Sequence, residues 1–121
     1  MTVGTVGLSG DAAWPVAHLT GAVDLSNVED LAVRLEAAVS NRAQGLVLDL
    51  TGTTYIDSTG VRLIYRLARR LGDRQQRLRL VVPDTSRILR VLTLSGVHTV
   101  AEVVPDLAHL AHLSHVTEES P

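Results

Sequence analysis

The spacing of apolar and polar positions separates strands from helices along this chain. Leu46-Val47-Leu48-Asp49-Leu50 is a short, largely apolar run of strand type. After Thr51-Gly52-Thr53-Thr54-Tyr55-Ile56 and Asp57-Ser58-Thr59-Gly60, the period becomes helical. Val61, Ile64, Leu67, Ala68 and Leu71 recur three or four residues apart. Upstream, residues 2–9 and 14–20 predict two strands joined by a turn at Gly10-Asp11-Ala12-Ala13. Pro15 puts the second of them at a sheet edge or marks its end. Gly21-Ala22-Val23-Asp24-Leu25 leads into a helix opened by Ser26, with Glu29 completing a capping box. Its buried stripe is Val28, Leu31, Ala32, Leu35, Ala38 and Val39, and Asp30, Arg34, Glu36 and Arg42 face water.

Downstream, Leu78-Arg79-Leu80-Val81-Val82 predicts a strand stopped by Pro83. Asp84-Thr85-Ser86 caps a third helix carrying Ile88, Leu89, Val91, Leu92 and Leu94, closed by Gly96. A short last strand lies within residues 97–104. Pro105 and Asp106 open a final helix whose inner face is Leu107, Leu110, Ala111 and Leu113. Strands alternating with helices imply an α/β fold in one domain. The prediction is a mixed, mostly parallel sheet of about five strands, an N-terminal antiparallel hairpin and four helices.

Composition narrows the function. The chain has 121 residues and a net charge of −2, so no broad cationic field holds DNA or RNA. Aromatic residues make up 2%, with no Phe, which removes the stacking platforms of single-strand binders. The core must be aliphatic, and Trp14 beside the first turn reads as packing or partly exposed surface. Without cysteine there is no disulfide, thiolate metal site or thiol catalysis, a composition that suits the cytoplasm. No signal peptide is visible at the N-terminus, and no apolar run approaches the roughly 20 residues of a membrane span. All basic residues are Arg, so a Lys-containing phosphate loop is excluded.

The chemistry concentrates at the strand-to-helix junction. A serine at the start of a helix is a good N-cap, and a phosphate on it would meet open amide donors and the positive end of the helix dipole. Asp57, Ser58 and Thr59 are equally the residues of an ordinary helix start. Rotation of about 100° per residue puts Ser58, Arg62, Arg66 and Arg69 on one side of the helix. That row is either a solvated face or a docking surface for an acidic partner, flanked by Leu63 and Tyr65. His109, His112 and His115 recur at threes, but the third has rotated about 120° from the first and no carboxylate lies among them, so no metal is assigned. His18 and His98 read as structural or exposed. Nothing brings a histidine to Ser58, and the Gly-x-Ser-x-Gly elbow is missing, so no Ser/His/Asp triad is assigned there. Neither catalysis nor a cofactor is expected.

Three blocks in order resemble the STAS domain, and more narrowly the bacterial anti-sigma factor antagonists. They are Gly21-Ala22-Val23-Asp24, the run through Val47-Leu48-Asp49-Leu50 to Ile56-Asp57-Ser58-Thr59-Gly60-Val61, and Arg87-Ile88-Leu89-Arg90-Val91-Leu92 through Leu94-Ser95-Gly96-Val97. The likeness makes residues 1–116 one STAS domain and residues 117–121 a loose tail. It implies a protein that, unphosphorylated, binds a partner that is both anti-sigma factor and serine kinase, an ATPase of histidine-kinase-like fold. Binding releases a sigma factor, phosphorylation ends it, and a serine phosphatase restores it. By motif position the phosphorylated residue is Ser58. The partner-binding set is Asp24, Asp57, Ser58, Thr59, Gly60, Arg62, Leu63 and Arg66. Two departures bear on partner choice and on the acceptor: many members carry Glu where Ala22 stands, and a second Ser where Thr59 stands. The alternatives are a non-switching STAS subunit of a lipid-transport or signalling assembly, in which Ser58 only caps the helix, and a nucleotide-binding domain.

Overall fold

A computed structural model of the chain describes residues 4–110. Six strands form one sheet: β1 (Thr5–Gly10), β2 (Pro15–Val23), β3 (Gly45–Asp49), β4 (Thr53–Ile56), β5 (Arg77–Val81) and β6 (Glu102–Val104). The strand order is β1-β2-β3-β5-β6, and β4 pairs with the far end of β2. Only β1 and β2 run antiparallel; every other pairing is parallel. Helices α1 (Val28–Ala37), α2 (Ser58–Asp73) and α3 (Arg87–Leu94) follow in turn. A 3₁₀ turn, Val97–Thr99, precedes β6, and residues 107–110 are helical.

Every residue of β3 is buried, as a strand covered on both faces must be. Leu46 and Leu48 point to the main core, where they meet Leu31, Leu35, Ile64, Leu67, Leu80 and Leu92. Val47 points the other way, into a smaller cluster with Val81, Val104 and Leu110, closed by Trp14 and Val16. Arg79 lies on that second side, 2% exposed, with its guanidinium 4.0 Å from the centroid of the Trp14 ring and its Nε 3.5 Å from Glu102. The Trp14 indole N–H donates to Gln44 Oε1 at 3.2 Å.

Three local expectations change. Strand β4 is additional, making six strands rather than about five. Thr53 and Ile56 are buried while Thr54 and Tyr55 are exposed, so no simple alternation marks it. Its partner is the end of β2, where the register shifts at Gly21 and Ala22. Pro15 opens β2, so the strand-end alternative holds; β2 itself lies inside the sheet, between β1 and β3. The Ser26–Glu29 capping box does not form, and α1 starts after Asn27. Asp24 captures Ser26 instead, accepting from both its amide (2.9 Å) and its hydroxyl. Glu36 does not simply face water but meets Arg70 Nε at 2.8 Å, and Arg42 lies past the end of α1.

Asp106 stands at the start of the final helical residues as expected and accepts from the His109 amide at 3.0 Å, but Pro105 lies before the helix and not in its first turn. Ala111, His112, Leu113, His115 and residues 117–121 lie outside the described residues.

Candidate functional site

Helix α2 begins where Asp57 leaves it no choice. The Asp57 backbone is extended, at φ −104° and ψ −172°, and its side chain folds back over the first turn. Its Oδ1 accepts from the Thr59 amide (2.9 Å), the Gly60 amide (3.1 Å) and the Thr59 hydroxyl (2.5 Å). Its Oδ2 accepts from the Leu25 amide at 3.4 Å, which ties the loop before α1 to the start of α2. The Thr59 hydroxyl bond, ahead of the amide bonds, holds the Asp57 carboxyl below the usual carboxylate range, against a smaller upward push from burial.

Asp57, not Ser58, is therefore the N-cap, and Ser58 is the first helical residue. The expected open amides at this helix start are largely closed, because Asp57 already occupies those of Thr59 and Gly60. Ser58 is exposed, and its hydroxyl makes no hydrogen bond among the described residues. The adjacent Thr59 hydroxyl is half-buried and engaged. Two hydroxyls that look alike in sequence thus differ in availability.

The neighbouring loop is held by its own side chains. Asn27 Oδ1 accepts from the Asp24 amide at 3.1 Å, and Asn27 Nδ2 donates to the Ala22 carbonyl at 2.8 Å. The Asp24 carbonyl accepts from the amides of Asn27 and Val28. This folding turns Leu25 outward, 75% exposed, beside Asp57. Tyr55, three residues before Ser58, is 54% exposed. Neither was singled out in sequence as part of the site. The burial of residues 53–56 does not alternate, so no period-two reading singles out Tyr55, and nothing local distinguishes Leu25 from a core leucine.

Ser58, Arg62, Arg66 and Arg69 are all exposed on the outer side of α2. Arg66 is drawn toward α1, with Glu29 at 3.6 Å and Glu36 at 3.9 Å. Arg62 and Arg69 make no ion pair among the described residues. A groove of about 250 Å³ runs between the Leu25 loop and α2, lined by Leu25, Glu29, Thr59, Arg62 and Arg66 with Leu63 among its lining residues.

Two members of the expected contact set are interior. Gly60 is buried, and a Cβ there would meet Ile56 Cγ1 at 2.5 Å and Val23 Cγ1 at 3.0 Å. Leu63 is 4% exposed and belongs to the main core. Both faces of that expectation have one cause: positions 60 and 63 lie on the side of α2 turned to the sheet. Tyr65 is half-buried, and its hydroxyl donates to the Ser95 carbonyl at 2.5 Å, so it braces α3 more than it flanks Ser58. Asp24, Asp57, Ser58, Thr59, Arg62 and Arg66 remain at or near the surface.

Replacing Asp57 by Ala is expected to cost about 0.5–2 kcal/mol, the usual range for loss of a helix cap. Because the folded carboxyl titrates below its unfolded value, its contribution is present above the ordinary range near 3.9. It is lost as pH falls through the lowered folded value. Urea unfolding of wild type and Asp57→Ala should therefore differ at pH 7 and converge in acid. A constant difference at all pH values would contradict this role.

Among the described residues no cluster of three or more His, Asp and Glu could hold a metal, and no helix is long and apolar enough to cross a membrane.

Residues 6–113 match the family described as Mlab, STAS domain. An anti-sigma factor antagonist from Mycobacterium paratuberculosis is similar in fold, with TM-score 0.79, 19% identity, and coverage of 92% of this chain and 93% of that one. Phosphorylated SpoIIAA, described as a Bacillus cell fate determinant, gives TM-score 0.62 at 19% identity, covering 90% of this chain and 99% of that one. The STAS domain of a SulP transporter from Vibrio cholerae gives TM-score 0.69 at 18% identity, covering 92% and 89%. At these identities the likeness is one of fold. No curated protein is similar enough in sequence to count as a relative.

Proposed function

Because this chain belongs to the STAS domain family, we propose that it is an anti-sigma factor antagonist switched at Ser58. Unphosphorylated, it binds a serine kinase that is also an anti-sigma factor, an ATPase of histidine-kinase-like fold, and so frees a sigma factor in the cytoplasm. Transfer of phosphate to Ser58 ends the binding, and a serine phosphatase restores it. In this role the chain acts by binding alone, and the contact surface is Asp24, Leu25, Tyr55, Asp57, Ser58, Thr59, Arg62 and Arg66.

One observation carries the reading. Ser58 offers an exposed, unbonded hydroxyl at the first position of α2, while Thr59 beside it is held by Asp57. A kinase needs a hydroxyl it can reach and deprotonate, and of these two only Ser58 supplies it.

The phosphate adds about −1.5 to −2 charges. With the Thr59 and Gly60 amides already taken by Asp57, it cannot sink into the helix start. It stands at the surface near the Asp57 carboxylate, with Arg62 one turn along as the closest cation on the same face. A partner then meets negative charge where it previously met a neutral hydroxyl, and the fold stays as it was.

Incubation with ATP and a serine kinase of this fold type from the same genome tests the acceptor. Intact-mass analysis should find one phosphate, kept in Thr59→Ala and missing in Ser58→Ala. Phosphate mapping to Thr59 would refute the assignment. A non-switching STAS subunit would bind its partner equally well whatever stands at position 58.

A further inference from the structure

The sheet face that carries Val16 and Val47 also brings together three side chains far apart in sequence. In the pairing register His18 on β2 stands opposite Gly7 on β1 and Asp49 on β3. His18 Nδ1 lies 2.7 Å from Asp49 Oδ2, and His18 Nε2 lies 2.6 Å from Ser9 Oγ. Among the described residues no such arrangement surrounds Ser58; the fold builds one around Ser9 instead.

Each atom stands in the order that a base-activated nucleophile needs. Asp49 Oδ1 accepts from the Thr51 amide (3.0 Å) and the Thr51 hydroxyl (2.6 Å), which leaves Oδ2 for the imidazole. Burial pushes the Asp49 carboxyl up, but the Thr51 bonds and His18 together outweigh it, so the group stays ionised near neutrality. An ionised Asp49 fixes the His18 proton on Nδ1 and leaves the Nε2 lone pair facing the Ser9 O–H. The Asp49 side chain is 11% exposed and that of His18 33%, while Ser9 lies exposed on the edge strand. Gly7, on the same face as Ser9 and opposite His18, leaves open space: a Cβ there would meet nothing within 4 Å. A small acyl group has room beside both reacting atoms.

We propose that Ser9, His18 and Asp49 form a nucleophilic site that takes acyl groups from activated esters. Ser9 Oγ bonds to the ester carbonyl carbon as its proton passes to His18 Nε2. The ester C–O bond breaks, and the leaving alcohol takes that proton from His18. Asp49 remains ionised and steadies the imidazolium. Water then attacks the acyl carbon with His18 again as base, releasing the carboxylic acid and restoring Ser9. The sum is ester and water going to acid and alcohol. General-base assistance alone contributes about 10²–10⁴-fold, which suits esters with good leaving groups and not amides. The site is separate from Ser58 and does not depend on the switch.

Purified full-length protein with p-nitrophenyl acetate provides the test, followed by nitrophenolate release and by intact and peptide mass. A stoichiometric burst is expected, with the acetyl group on Ser9. Ser9→Ala, a change on an exposed edge strand that leaves folding undisturbed, should remove both burst and adduct. His18→Ala should slow acylation at least about a hundredfold. Asp49→Asn should slow it while leaving the burst amplitude intact, since Asp49 positions His18 and does not touch the ester. Folded protein with no adduct, or an adduct that survives Ser9→Ala, would overturn the proposal and leave the three groups as a surface hydrogen-bond chain.

Discussion

Ser58→Asp is expected to bind the kinase partner about a hundredfold more weakly than wild type, and Ser58→Ala to bind as wild type does. The estimate rests on like-charge contacts costing several kcal/mol at an interface, with each 1.4 kcal/mol worth about tenfold. The new carboxylate cannot be absorbed locally, because Asp57 Oδ1 already holds the Thr59 and Gly60 amides. It joins Asp57 in displaying negative charge, opposed only partly by Arg62. The loss should shrink as salt rises, since exposed charges are screened over a Debye length of about 10 Å at 0.1 M. Both variants should melt with wild type, because Ser58 is exposed and its hydroxyl supports no hydrogen bond. Calorimetric titration at two salt concentrations measures both effects. Equal affinity of the two variants, with folds intact, would remove the switch.

Gly60→Val is expected to lower stability by roughly 2–3 kcal/mol, a drop in Tm on the order of 10 °C for a domain of this size. Val in place of Gly60 gains only a few tenths of a kcal/mol of helix propensity, with about 1 kcal/mol as the ceiling set by Ala. The gain is outweighed, because its Cβ alone would stand 2.5 Å from Ile56 Cγ1 and 3.1 Å from Ile56 Cδ1. Ile56 is itself buried at the end of β4, so relief requires α2 to lift from the strand that delivers Asp57. Gly72 in the same helix supplies the contrast. It is exposed, nothing lies within 4 Å of a Cβ there, and Gly72→Ala should stabilise by up to about 1 kcal/mol. Opposite signs in thermal melts of the two variants would separate packing from propensity. A stable Gly60→Val would mean that α2 can shift without loss, and that its close seat on β4 does not matter.

Much of the site was legible before any coordinates. The three- and four-residue spacing of Val61, Ile64, Leu67 and Leu71 turns one side of α2 to the core, and the same arithmetic turns Ser58, Arg62, Arg66 and Arg69 to water. Helix-start chemistry was legible at 57–59 as a class of residues, but not in its division of labour. Asp, Ser and Thr all cap helices well. Which one does so here depended on where the chain arrives from β4, and that placed Asp57 at the cap and freed Ser58. At Ser26 the same local rule failed: its amide and hydroxyl both donate to Asp24, and α1 starts one residue further on, after Asn27.

Gly60 and Leu63 illustrate the cost of reading a motif as a surface. A helix turns them inward, and their sizes answer to packing against Ile56 and the main core.

What the chain determined by itself was whatever depends on neighbours within about a turn or a strand: the helical period of α2, the largely apolar β3, the α/β alternation and the Arg-lined outer face. The tertiary structure alone decided the sixth strand, the inward place of β2 and the meeting of Ser9, His18 and Asp49. Each of these rests on how separate strands pair and in which register. A one-residue slip in such a register sends every side chain of a strand to the opposite face.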